Sequence, residues 1–151
     1  NDPAACYPSA VLGLGATVIT NQREIAADDF FVGMYTTALE EGEIITAIRF
    51  PIPKRAAYLK FKQAASRFSL VGVFVAQFDA GVRVAVTGAS SCVFRHAGLE
   101  AALSRDFTPQ AAAAVAIDAS DLNADLHASS AYRANLISVQ TQRAVAKMTS
   151  P

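Results

Sequence analysis

The chain has 151 residues, 52% of them hydrophobic, with 13 basic and 13 acidic side chains. That length fits one domain, or one domain plus a small lobe, with enough apolar material for a sizeable core. Zero net charge excludes the electrostatic footprint of a nucleic-acid or anionic-membrane binder, and no apolar run is long enough to span a bilayer.

Asp2-Pro3 opens the chain as a turn former. Tyr7 to Leu14 reads as a short helix that Gly13 and Gly15 end quickly. Thr17 to Thr20 reads as a strand, because β-branched side chains suit a pleated surface. Asn21 to Glu24 is a polar turn, and Ile25-Ala26 begin the return. Ala27 to Phe31 reads as a helical turn with Asp28 able to cap it and Phe30 and Phe31 anchoring it. Gly42 between acids marks another turn. Ile44 to Phe50 is a strand with Ile44, Thr46, Ile48 and Phe50 on one face and Ile45, Ala47 and Arg49 on the other. Pro51 and Pro53 end it and mark a lobe boundary.

The second segment reads as an antiparallel sheet. Tyr58 to Gln63 is one strand and Leu70 to Asp79 the next. Ala80-Gly81 makes a tight connection to Val82–Thr87, and the short spacing predicts a hairpin. Cys92 to Arg95 is a candidate fourth strand. Helices follow: a short one from Gly98 to Leu103, one opened by Thr108 and Pro109 and running to Ile117, and one from Ser130 to Lys147 capped by Ser129 or Ser130. Tyr132, Leu136, Val139 and Arg143 share a face of the last helix, and Tyr132 is expected in the core, where its loss would cost about 3 kcal/mol. Strands first and helices last, without alternation, indicate an α+β fold: a small antiparallel sheet covered by about three helices.

Chemistry-bearing groups are sparse. Cys6 and Cys92 form no metal set and are expected to be reduced in a cytoplasmic protein. His127 and Ser129 lie two apart on a loop with no oxyanion element, so no catalytic triad is expected. Asp125, His127 and Arg133 instead form a candidate hydrogen-bonded cluster anchoring the last helix. No carboxylate pair points to general acid–base work. No catalytic and no metal-ligating residue is assigned.

Several segments in one order carry a resemblance: Asp2-Pro3-Ala4-Ala5, Ala27-Asp28-Asp29-Phe30-Phe31, Glu43-Ile44-Ile45-Thr46-Ala47-Ile48-Arg49-Phe50-Pro51, Tyr58-Leu59-Lys60-Phe61-Lys62-Gln63, and Asp125-Leu126-His127-Ala128-Ser129. The chain resembles the C-terminal half of the flavin-binding medium subunit of molybdenum hydroxylases, the carbon monoxide dehydrogenase and xanthine dehydrogenase group. The resemblance implies a partial FAD-binding lobe at residues 1–53 and a flavoprotein C-terminal domain at 54–151. It implies FAD contacts at Ile45, whose strand runs past the isoalloxazine ring, and at Lys62, a cation near it. It places the Asp2 segment against the cofactor and puts Cys6 where many relatives carry an aspartate. A thiol accepts hydrogen bonds poorly beside a carboxylate. The family's glycine-rich phosphate loops have no counterpart here, so FAD binding by this chain alone is expected to be weak or absent.

The implied function is the electron-transfer flavin subunit of a molybdenum-hydroxylase-type oxidoreductase, or part of one, not catalytically complete alone. Its partners would be molybdenum and iron–sulfur subunits. The chain starts at Asn1 rather than Met, as expected of a trimmed start or a piece of something longer. The alternative is a stand-alone, non-catalytic binding or assembly module. Apolar surface left by a missing lobe, with Val18, Phe30, Phe31 and Ile45 as candidates, would then drive a homodimer or other self-association.

Overall fold

The apolar run Leu70 to Ala76 explains the architecture, because it has no polar face. In the computed structural model, which describes residues 1–150, this run lies in the central part of a four-stranded antiparallel sheet covered on both sides. The sheet has the order β6 (Arg55–Lys62), β7 (Ser69–Phe78), β8 (Gly81–Thr87), β9 (Phe94–Arg95). Strand side chains alternate. Val71, Val73, Val75, Val82, Val84 and Val86 therefore form one core with Leu99, Leu103, Leu136, Ile137 and Val145 from the C-terminal helices. Those helices are α3 (Ala97–Arg105), α4 (Pro109–Ala113) and α5 (Ser130–Thr149), labelled here after the N-terminal α1 (Tyr7–Leu14) and α2 (Ala27–Phe30). The opposite face, with Phe74 and Ala85, receives Val11 and Leu12 of α1 in a second core with Val18, Ile25 and Phe30. A Cβ at Gly13 would stand 2.6 Å from the Phe74 ring, so the missing side chain sets how closely α1 approaches the sheet. Residues before Pro51 thus pack directly on the sheet formed after it.

The N-terminal part adds a three-stranded sheet of order β2 (Glu24–Ala26), β1 (Thr17–Thr20), β5 (Ile45–Arg49), all antiparallel. The small hairpin β3 (Phe31–Gly33) and β4 (Thr36–Thr37) completes it. This hairpin turns through Tyr35 at φ 53°, a left-handed conformation unusual outside glycine. Asn1 holds it from a distance: its side-chain amide donates to the carbonyls of Gly33 and Thr36, and its own carbonyl accepts from the Tyr35 N–H.

The α+β expectation is met, with small antiparallel sheets and few helices. The caps at Thr108 and Ser129 are as expected, each side-chain oxygen accepting the N–H three residues on. Four expectations are corrected. The helix from Thr108 ends at Ala113 rather than Ile117. Asp28 does not cap α2; its carboxylate reaches across to Arg83 and Arg95 on the larger sheet. Tyr132 is 42% exposed, edge-on to Phe61 at 6.2 Å, so its loss should cost nearer 1 kcal/mol than 3. Val18 and Phe30, expected on an exposed patch, are 1% and 5% exposed because α1 and β2 cover them.

Candidate functional site

The segment Asp2 to Cys6 is laid across the ends of β7 and β8. Gly88 N–H and the Thr87 hydroxyl both donate to the Pro3 carbonyl, at 2.7 Å each, and Thr87 also reaches the Ala5 carbonyl at 2.8 Å. Gly88 takes φ 83°, and a Cβ there would stand 2.4 Å from the Ser69 carbonyl oxygen. Only glycine lets the β8 end pass this close to β7. Asp2 spends one carboxylate oxygen on the Ala4 N–H, shaping the turn that delivers Cys6 to the start of α1.

Lys62 ends β6 opposite Ser69, at a register shift after Phe61, and is exposed. Asp2, Cys6 and Lys62 therefore gather at one end of the larger sheet. Ile45 is elsewhere: it lies on β5 opposite Thr20, 40% exposed, on the smaller sheet. The polar turn beside it is fixed by Glu43. That carboxylate accepts from the Thr20 hydroxyl at 2.7 Å, from Arg23 at 3.0 and 3.1 Å and from the Glu40 N–H at 2.8 Å. The Arg23 hydrogen bonds, then those from Glu40 and Thr20, lower its pKa to about 2.

Sequence reasoning singled out Lys62 but passed over Lys60. The Lys60 ammonium donates to Cys6 Sγ at 3.2 Å and to the Arg67 carbonyl at 3.1 Å. Ser69 Oγ stands 3.8 Å from the same sulfur and 2.8 Å from the Tyr58 hydroxyl. Burial opposes ionisation of Cys6, but hydrogen bonds from Tyr58, Lys60 and Ser69 and the Lys60 charge outweigh it and hold the thiol below its ordinary value. Burial and the neighbouring thiol push the Tyr58 hydroxyl upward. The signal for this cluster was the strand period: Tyr58 and Lys60 share a face, and that face meets α1.

The Asp125, His127 and Arg133 group is realised in part. Arg133, buried on α5, donates to the carbonyls of Leu70 and Gly88 at 2.8 Å each and to Asp125 at 2.7 Å. His127 contributes only its backbone N–H, to the other Asp125 oxygen. An open cavity of about 640 Å³ lies at the opposite end of the larger sheet, beside Phe78, Gly81, Arg83 and Ser104. Among the described residues no group of His, Cys, Asp or Glu is placed to hold a metal ion, and no helix is long and apolar enough to cross a membrane.

Comparison with known proteins gives this geometry a context. Residues 1–53 match the family model described as the FAD binding domain in molybdopterin dehydrogenase. The nicotine 6-hydroxylase medium subunit of Paenarthrobacter nicotinovorans is 32% identical across 95% of this chain, which spans 56% of that subunit. The chain is therefore similar along nearly its whole length to this medium subunit. A second relative, the carbon monoxide dehydrogenase medium chain of Hydrogenophaga pseudoflava, is 31% identical over 82% of this chain and 47% of that one. Among solved structures, carbon monoxide dehydrogenase from Hydrogenophaga pseudoflava superposes with a TM-score of 0.81 at 26% identity, covering 97% of this chain and 57% of that one. Quinoline 2-oxidoreductase from Pseudomonas putida 86 shares the fold, with a TM-score of 0.82 at 24% identity over 97% of this chain and 56% of that one. The chain thus spans about half the length of the medium subunits it matches.

Proposed function

We propose that this chain forms the ring-side part of the flavin site in the electron-transfer subunit of a molybdenum-hydroxylase-type oxidoreductase. One observation carries the reading: within the stretch that matches the FAD-domain family, the Asp2–Cys6 segment is pinned beside Lys62, an exposed cation at a sheet end. A flavin supplies reversible electron storage when bound. Lys62 would favour a negatively charged ring by direct attraction, and Ile45 would offer an aliphatic wall. The phosphates fit less well. Gly13 lies inside α1 and Gly15 at its C-terminal cap, so neither presents N–H groups at a helix N-terminus. Molybdenum and iron–sulfur subunits are the proposed electron-transfer partners.

Recognition of the ring alone makes a sharp expectation. Riboflavin and FAD should bind the isolated chain with similar, weak affinity, with Kd on the order of 0.1–1 mM. An amide-resolved NMR titration with each ligand checks this. Shifts confined to Asp2–Cys6, Ile44–Ala47 and Lys62 are expected, weakened in Lys62→Ala. FAD binding a hundredfold tighter than riboflavin, or no shift at these positions, would overturn the reading.

A second reading, an assembly module, is favoured by β5. All five of its residues are exposed, and one of its edges is unpaired. We propose a second copy of the chain as its occupant.

A further inference from the structure

We propose that Cys6 and Lys60 form an oxidation-dependent covalent bridge between Sγ and Nζ. The two atoms stand 3.2 Å apart, delivered by different elements: Cys6 from the start of α1 and Lys60 from β6. Neither side chain is free to wander. The Lys60 ammonium is tethered to the Arg67 carbonyl, in a turn where Arg67 takes φ 61° and closes back on Gln63. The Cys6 backbone is fixed by the Ser9 hydroxyl, which donates to its carbonyl at 2.7 Å. Below the pair, the Tyr58 ring lies over Gly72, where a Cβ would stand 2.4 Å from the Tyr58 hydroxyl. An open apolar cavity of about 170 Å³, lined by Cys6, Tyr7, Ala10, Tyr58 and Phe74, leads to the sulfur. It is wide enough for a small oxidant. Cys6 is only partly buried.

Thiolate character governs oxidation, and an adjacent ammonium promotes it. The oxidant is hydrogen peroxide. The Cys6 thiolate attacks one peroxide oxygen, the O–O bond breaks, and the sulfenic acid forms while the departing hydroxide takes up the proton the thiol had released and leaves as water. Sulfenic acids condense with nitrogen nucleophiles. Lys60 Nζ, after giving its extra proton to solvent, attacks the sulfenic sulfur. The S–N bond forms, the S–O bond breaks, and the departing hydroxide takes a proton from nitrogen as water. In sum, one thiol, one amine and one peroxide give one sulfenamide and two waters. Sulfur loses two electrons and peroxide gains them. The bridge protects Cys6 from irreversible overoxidation, and thiol reductants reverse it.

Peptide mapping of the peroxide-treated full chain tests this. Trypsin cleavage at Arg23, Arg55 and Lys62 should yield Asn1–Arg23 joined to Ala56–Lys62, with cleavage at Lys60 blocked. The joined mass should lie two hydrogens below the sum, and dithiothreitol should restore both parts. The bridge should be absent from Cys6→Ser and from Lys60→Arg. Lys60→Arg keeps the charge, and its circular dichroism shows whether the fold is retained. In that variant Cys6 should pass to sulfinic acid and no longer be recovered by dithiothreitol. Cys6 carried to sulfinic acid in the parent chain, with Lys60 unmodified, would overturn the proposal. So would a Cys6 disulfide as the sole product.

Discussion

Glu43 shows how one buried carboxylate can fix a junction. It accepts four hydrogen bonds that join the turn after β1 to the approach to β5. Its pKa falls from 4.5 to about 2 in the folded chain. A lowered carboxylate pKa contributes stability that is complete above the unfolded value and is lost as pH falls through the folded one. The window is therefore about pH 4.5 down to about 2. Glu43→Gln removes the titration but keeps the shape. At pH 7 the parent chain should melt at higher temperature than Glu43→Gln, and the gap should close as pH approaches 2. Melting curves at several pH values check this, and a gap independent of pH would show that the Glu43 charge contributes nothing.

At the scale of elements, α5 is held by a buried cation as well as by its apolar stripe. Arg133 satisfies two carbonyls, at Leu70 and Gly88, that belong to the ends of β7 and β8. Those same ends carry the Asp2–Cys6 segment, so helix, sheet and N-terminus meet at one residue. Replacing Arg133 with Met keeps the aliphatic bulk but strands both carbonyls and Asp125. A loss of about 3 kcal/mol in urea unfolding is expected. Asp125→Asn, which leaves the two carbonyl contacts in place, should cost clearly less. Equal losses would mean that the ion pair, not the carbonyl contacts, anchors the helix.

Much of this layer was legible in the sequence. Thr108 with Pro109 and Ser129 are local signals that act within one turn, and Leu70–Asp79 read as a strand; that α1 covers the second face of its sheet was not read from the sequence. The β3–β4 hairpin was not legible, because its turn uses Tyr35 instead of glycine and leans on Asn1, more than thirty residues away. The Cys6–Lys60 contact was missed for a similar reason: it joins positions 54 apart in the chain. The resemblance drew attention to Lys62, whereas the strand period brought Lys60 to the sulfur.

On the scale of the whole molecule, apolar surface is unevenly distributed. The larger sheet is covered on both faces, whereas all five residues of β5 are exposed. Ile44, Ile45, Ile48, Phe50 and Ile52 form an exposed run along and beyond this edge strand. Such an edge pairs readily with another chain, because its free N–H and carbonyl groups add hydrogen bonds to the apolar contact. Arg49, paired with Glu24 on β2, is the one charge within β5. The proposed homodimer would therefore use β5 rather than Val18 or Phe30, both already buried. A central Ile48→Lys substitution places a charge in that contact while leaving the β1 pairing intact. Light scattering across a concentration series should find a dimer for the parent chain and a monomer for Ile48→Lys, with circular dichroism unchanged. Self-association that survives Ile48→Lys would move the interface away from β5, and a parent chain that stays monomeric throughout would remove the homodimer altogether.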